Sequence, residues 1–409
     1  MPPLRPGHQM QLLQGGNAFF AALNDAIDGS SHEVRLETYI FCAEATGRQV
    51  AQSLERAALR GVAVYLVMDG VGTPEIPAEW VTRFDAAGVK WRIFSPLGRL
   101  GVLIPSRWRR LHRKLCVVDG SVAFCGGINV LDDFYDPNHG VLEAARFDFA
   151  VRVTGPLVQT VHEVLTQFWW RLQATTTMRH SDFQGAWQAL QESLELAKKM
   201  RVAPEMSASR LFPVKAEHIT SADLVLRDNV RNRSRIERAY RQAIGSAQHE
   251  IIIANAYFLP GRKLRLGLIH AAQRGVRVRL LLQGRYEYFM QYHASRPVYG
   301  ALLKAGVEIH EYSVSFLHAK VAVIDGHWAT VGSSNLDPLS LLLAREANVV
   351  VDDVEFAQDL RTRLVSAMAQ GGTQVDPAIY ANRPWRQRFL DRLAFGVMRV
   401  LLFLNGKRY

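Results

Sequence analysis

The sequence predicts an α/β fold of two pseudo-symmetric halves, each a mixed β-sheet flanked by helices, with one active site at their interface. Three observations predict it. The pattern His-x-Lys-x-x-x-x-Asp occurs twice, as His112, Lys114 and Asp119 and again as His318, Lys320 and Asp325. Each copy is followed at the same distance by small residues and an Asn: Gly126-Gly127-Ile128-Asn129, then Gly332-Ser333-Ser334-Asn335. Around both copies, apolar runs alternate with Ala-rich segments ending Arg-Gly-Val, the pattern of βαβ units and a mixed or mostly parallel sheet.

The elements pair off in chain order. An apolar run leads to Tyr39-Ile40-Phe41 in the first half and to Tyr257-Phe258-Leu259 in the second. The helical Ala57–Val62 and Ala271–Val276 segments each feed a Val/Leu-rich strand ending at Gly70 or Gly284. Ala87-Gly88-Val89 returns as Ala305-Gly306-Val307. Next come the motifs. An apolar run, Asp-Gly and a second apolar run read as a β-hairpin in each copy (Leu115–Cys125 and Val321–Val331). Asp148 and Glu346 then occupy matching positions. The spacing between partners shrinks along the chain, so the halves differ by loop insertions and not by architecture. The expected organisation is a first half over 1–175, a connecting insertion over 176–218, a second half over 219–376 and a tail over 377–409. Within the insertion, Phe183–Met200 has a helical pattern.

The motif residues suit one chemistry. Side chains two apart in a strand share a face, so His112 projects with Lys114 and His318 with Lys320. Each hairpin delivers an Asn at the end of its second strand. The small residues before it, including Gly127 and Ser333, let backbone N–H groups approach an anion. Imidazole, ammonium, carboxamide and backbone donors make a phosphate site; the set is not a metal cage. Asp119 and Asp325 complete the motif and stand with the candidate catalytic residues. Their position before Gly suits turn support, which is the role expected of them.

Together the paired motifs resemble the phospholipase D superfamily. The stretches Ile251–Phe258 and His327–Pro338, with His112-Arg113-Lys114 and Gly126-Gly127, are most similar to bacterial cardiolipin synthases of the branch called cardiolipin synthase B. The resemblance spans about Gln11 to Asp376. It implies that Asp148 and Glu346 orient the histidines; the alternative is a carboxylate paired with its neighbouring arginine, Arg146 or Arg345. It also implies phosphatidylglycerol as substrate, with phosphatidylethanolamine or other alcohols as acceptors in some members, and a peripheral place on the bacterial inner membrane. One imidazole would attack phosphorus while the other protonates the leaving oxygen. Lys114, Lys320, Asn129 and Asn335 would hold the non-bridging oxygens. Neither metal nor organic cofactor is required. By the resemblance, His112 is the nucleophile and His318 the acid and base.

Composition agrees. The 409 residues are 48% hydrophobic, which argues against disorder over most of the chain, and the net charge of +11 calls for an anionic partner. Cys42, Cys116 and Cys125 sit in apolar runs without Cys-x-x-Cys spacing, as buried thiols do. Met1–Gln11 lacks the apolar core of a signal peptide, and no run is long enough to span a bilayer. In the tail, Trp385, Phe389, Leu393, Val397, Val400, Leu401 and Leu404 follow helical spacing, with Arg388, Arg392 and Arg399 on another face. Such a helix can lie in an anionic membrane surface; the alternative is packing on the domain. Leu97–Arg110 and Arg285–Tyr292 mix basic and apolar residues and read as lips of a lipid channel or as packing against the opposite half. Asp132, Asp133 and Asp136 read as an exposed acidic loop and not a cation site. Two rival functions remain: a hydrolase or nuclease of the same superfamily, and a lipid-binding protein without turnover. The tail and the synthase-like stretches favour a lipid partner over nucleic acid.

Overall fold

The structure, a computed structural model, describes residues 4–98, 105–179, 220–228, 232–285, 289–337 and 344–404. Among them, sixteen strands form one continuous mixed sheet. The first half contributes, from the centre outward, Arg5–Gln14, Phe149–Thr154, Val122–Gly126, Lys114–Val118, Glu33–Thr38, Ala63–Asp69 and Lys90–Phe94. The second half repeats that order with Thr220–Arg227, Ala344–Asp352, Trp328–Gly332, Lys320–Ile324, Glu250–Asn255, Arg277–Gln283 and Glu308–Tyr312. The repeat read from the motifs therefore extends to these seven strands of each half. Arg5–Gln14 pairs antiparallel with Thr220–Arg227 and joins the two sheets.

Both predicted hairpins form. Lys114–Val118 pairs antiparallel with Val122–Gly126, and Lys320–Ile324 with Trp328–Gly332. Asp119 and Asp325 both take φ of 50°, and the following Gly120 and Gly326 are also positive. Asp tolerates that left-handed conformation better than most residues, and Gly adopts it freely. The outer strands are parallel, as the Arg-Gly-Val crossovers require. Helix Gly15–Asp28 shows why these segments are helical: Phe19, Phe20, Leu23 and Ile27 fall on one buried face.

The halves share a core. Leu115, Val117 and Val151 of the first half lie in one buried cluster with Val321, Val323 and Val349 of the second. Each fully buried aliphatic side chain of this kind is worth roughly 1.5–3 kcal/mol. The halves are thus fused along their inner strands, and the relative positions of the two motifs are fixed by packing. Helix Leu157–Arg179 covers this region and continues past the expected end of the first half. Most of the 176–218 insertion, including its predicted Phe183–Met200 helix, lies outside the described residues.

The tail packs on the domain and leaves one of its faces exposed. Trp385–Leu404 is a helix docked on helix Phe289–Lys304, where buried Asp391 pairs with His293 at 2.7 Å and Arg383 at 2.9 Å. On its other side Trp385, Phe389, Leu393 and Val397 form an exposed apolar stripe. Arg388 and Arg392 are exposed as well. Among the described residues, no helix is long and apolar enough to cross a membrane.

Candidate active site

The two motifs meet at the junction of the halves, and each is completed by the other half. Just before strand Lys114–Val118, the His112 N–H donates to the carbonyl of Arg345 at 3.0 Å. The symmetry-related bond runs from the His318 N–H to the carbonyl of Phe147 at 2.9 Å. These bonds bring each imidazole beside the carboxylate that follows the accepting residue. His112 Nδ1 lies 3.0 Å from Glu346, and His318 Nδ1 lies 2.6 Å from Asp148. Each histidine is thus oriented by a carboxylate of the opposite half. The competing expectation, a carboxylate paired with its neighbouring arginine, fails on geometry: Arg146 donates to Asp136, and the Arg345 guanidinium lies over the Phe168 ring.

An ionised carboxylate can only accept, so Nδ1 carries the proton in His112, and in His318 while Asp148 is ionised, which leaves Nε2 available for chemistry. The lysines lie between the pairs. Lys114 Nζ donates to the His112 carbonyl at 2.7 Å, and Lys320 Nζ donates likewise to that of His318. Both lysines are buried, Lys320 completely. Burial, together with the Lys320 cation, lowers Lys114 to about 7 despite Glu346 nearby. Burial raises Asp148 to about 7 against the pull of Lys320 and Lys114. Burial would also raise Glu346, but the His112 imidazole, Lys114 and the Ser333 hydroxyl hold it below its ordinary range. Burial and the Lys320 and Lys114 cations hold the His318 imidazolium well below its usual value.

The small-residue turns are not equivalent. Ser333 Oγ donates to Glu346 at 2.5 Å. Its counterpart, Gly127, has no side chain because a Cβ there would come within 2.4 Å of Asp148 Oδ1. Asn129 and Asn335 are buried at the ends of their hairpins, as expected. The Asn129 carboxamide oxygen accepts from the Ile40 N–H at 3.2 Å, while the buried Asn335 oxygen has no hydrogen-bond partner among the described residues.

The two motif aspartates make their contacts elsewhere. The Asp119 carboxylate accepts from the backbone N–H groups of Ser31, His32 and Glu33, each at 2.8 Å. Asp325 does the same with Gln248, His249 and Glu250 at 2.8–2.9 Å. Both stand at the hairpin turn, at the far end of the strand from the histidine, and pin a neighbouring strand. Asp119→Ala is therefore expected to cost about 1–3 kcal/mol of stability for the lost donors. Folded Asp119→Ala should retain turnover within about twofold, a surface-like effect. Denaturant melts paired with activity per folded molecule check this; a large loss of activity without loss of stability would return Asp119 to the chemistry.

Tyr39 belongs to the site although its role was not read from the sequence. Its ring centroid lies 5.0 Å from that of His112, and Lys114 Nζ lies 5.4 Å from it. The recurrence of Tyr39 as Tyr257 was the available signal. Of the two expected lips, 99–104, Tyr286 and Tyr288 lie outside the described residues, as do the side chains of Phe289, Met290 and Tyr292. The described parts are held by the fold: Arg110 donates to Asp69 at 3.2 Å, and Arg285 donates to the carbonyls of Ser313 and Val314. In the acidic loop, Asp132 accepts from Thr46 at 2.7 Å and Asp136 pairs with His139 and Arg146. Cys116 and Cys125 are buried free thiols, Cys125 pushed up to about 12 by burial.

Comparisons with known proteins agree with this geometry. A family model described as cardiolipin synthase, PLD-like domain, matches residues 23–153 and 240–367, one stretch in each half. Cardiolipin synthase B of Escherichia coli K12 is 36% identical over 98% of this chain and 90% of its own. The cardiolipin synthase of Geobacillus thermodenitrificans is 28% identical over 96% of this chain and 72% of its own. Among solved structures, phosphatidylserine synthase of Haemophilus influenzae superimposes with a TM-score of 0.66 at 13% identity, covering 96% of this chain and 94% of the other. At that identity the likeness shows the fold.

Proposed function

We propose a reaction from one premise: this chain belongs to the family of cardiolipin synthases with a phospholipase D-like domain. It is a phosphatidyltransferase, and in the proposed reaction both donor and acceptor are phosphatidylglycerol. His112 Nε2 attacks the phosphorus of the first lipid, and the bond from phosphorus to the headgroup glycerol oxygen breaks. His318 gives its Nε2 proton to that oxygen and glycerol leaves. His318 then takes the proton from the terminal hydroxyl of a second phosphatidylglycerol. That oxygen attacks phosphorus, the P–N bond breaks and cardiolipin is released.

The observation that carries this reading is the crossed pairing of His112 with Glu346 and His318 with Asp148. It makes the two imidazoles parts of one site. Lys114 and Lys320, with the Asn129 and Asn335 carboxamides, would stabilise the equatorial oxygens as negative charge builds. A phosphodiester anion between the lysines would offset their charge and raise the His318 imidazolium toward the protonation that a general acid needs. Glu346, kept anionic, favours a neutral His112 with Nε2 bare, as a nucleophile requires. The test is product analysis by mass spectrometry with phosphatidylglycerol vesicles. Cardiolipin and glycerol in equal amounts support the transfer; phosphatidic acid as the lipid product would make the chain a hydrolase.

The pH dependence has a worked sign. Lowering pH through about 7 protonates Asp148 and removes the anion that supports the His318 imidazolium. Raising pH through about 7 discharges Lys114 and removes a phosphate ligand. The profile of kcat/KM should therefore be a narrow bell near neutrality. Bound diester raises Lys114, so the alkaline limb of kcat should lie at higher pH than that of kcat/KM. Coincident alkaline limbs would contradict the assignment to Lys114.

We also assign the tail stripe to the membrane surface. Trp385, Phe389, Leu393 and Val397 present apolar area while Arg388 and Arg392 favour anionic headgroups. Replacing the four stripe residues by Ser should lower flotation with anionic vesicles at least about tenfold. Turnover on short-chain monomeric phosphatidylglycerol should be retained. Unchanged flotation would remove the tail from the membrane.

A further inference from the structure

A second basic site lies on the other face of the strands that carry the catalytic groups. Arg113 stands between His112 and Lys114, and Arg345 precedes Glu346, so strand alternation turns both arginines away from the histidines. They meet under helix Leu157–Arg179, where each guanidinium lies 4.9 Å from the Phe168 ring centroid. Together with Arg109 and Arg171 they line a cavity of about 470 Å³.

The charge in this cavity is poorly compensated. Arg113 is neutralised by Glu37, whose carboxylate accepts from Nε and, at 3.0 Å, from Nη2. The lining otherwise holds a single carboxylate, Asp228, which accepts from Asn232 at 3.0 Å. Among the described residues, Arg109 and Arg171 at the exposed rim have no carboxylate partner, and the buried Nε of Arg345 has no hydrogen-bond acceptor. Burial first, then the nearby Arg113, lower Arg345 to about 10 against the pull of Glu37 and Asp228. Such a cluster costs folding free energy, and an anion would offset that cost.

This feature is not a by-product of the repeated fold. At the related positions of the other half, Ala319 replaces Arg113 and Phe147 replaces Arg345. The catalytic geometry is doubled; the arginine cavity is not.

We infer that this cavity is a binding site for a phosphate group, separate from the histidine site. Several guanidinium forks converging on one space match the oxygens of a phosphate, and its charge exceeds what one carboxylate offers. The phosphate can come from solution or from a lipid headgroup.

Arginine labelling by phenylglyoxal, mapped by peptide mass on the full chain, tests this. It is run with inorganic phosphate, with glycerol 3-phosphate and with dihexanoyl phosphatidylglycerol. Arg109 and Arg171 should be protected at concentrations that leave Arg388 labelled. In Arg171→Ala, half-protection of Arg109 should need on the order of tenfold more ligand, the loss of one charge-assisted contact. Protection by all three probes marks a phosphate site open to both sources; protection by the lipid alone marks a headgroup site. Equal labelling with and without every probe overturns the inference, as does protection of Arg109 that Arg171→Ala leaves unchanged. Both residues lie outside the catalytic site, so these results do not depend on glycerol release.

Discussion

Replacing His112 or His318 by Ala is expected to lower glycerol release on the order of 10⁴-fold, in either position alone. Each step of the proposed transfer uses both imidazoles, one bonded to phosphorus and the other moving a proton. Loss of either leaves the partner without a task, so the double variant should be hardly slower than either single one. The folded state should tolerate these changes. Both side chains are partly exposed, 17% for His112 and 18% for His318. Glycerol release and thermal melts of the three variants are the measurements. Losses that multiply in the double variant would indicate two independent sites, as would substantial turnover in either single variant.

The second large effect is expected at Glu346. This carboxylate is fully buried, and its oxygens accept from His112 Nδ1 and the Ser333 hydroxyl. Glu346→Gln keeps the volume but presents an amide donor or a weaker acceptor to the imidazole. His112 can then shift its proton to Nε2, which removes the lone pair that attacks phosphorus. The expected loss is on the order of 10³-fold in kcat, with KM little changed, because the carboxylate acts through His112 and not on the lipid. Ser333→Ala removes one hydrogen bond to the same carboxylate and should cost about tenfold. A Glu346→Gln enzyme that loses affinity but keeps kcat would mean that Glu346 supports the fold of the site and does not position the nucleophile.

Much of this was legible in the chain because the repeat fixes so many positions at once. The doubled His-x-Lys pattern, the Asp-Gly turns and the terminal Asn residues marked both hairpins and the ends that carry the candidate site. Matching Asp148 with Glu346 found both orienting carboxylates. What the sequence could not show was their crossing. Glu346 follows His318 in the chain, yet it serves His112, because strand Ala344–Asp352 runs parallel to Arg110–Leu111 and sets Arg345 beside Leu111. That pairing depends on how the halves pack, which no local pattern encodes.

Asp119 and Asp325 show the opposite case. They are constant members of the motif, and motif membership suggests catalysis, but the following Gly already signalled a turn. Their three backbone donors each, from a neighbouring strand, are a fold requirement. The tail was ambiguous for a physical reason. Its helix has two non-polar aspects, one filled by helix Phe289–Lys304 around Asp391 and Ala394, the other presenting Trp385 and Phe389. Periodicity alone does not say which aspect is covered. Arg113 lies between two candidate catalytic residues and Arg345 beside one, and strand alternation places both behind them.

The most direct test of a single shared site is rapid-quench trapping of the covalent intermediate with phosphatidylglycerol, followed by peptide mapping. The account predicts a phosphatidyl adduct on the peptide containing His112, with the His318 peptide unmodified in the same molecules. Adducts on both histidine peptides would contradict the shared site; an adduct on His318 alone would reverse the roles of the two histidines.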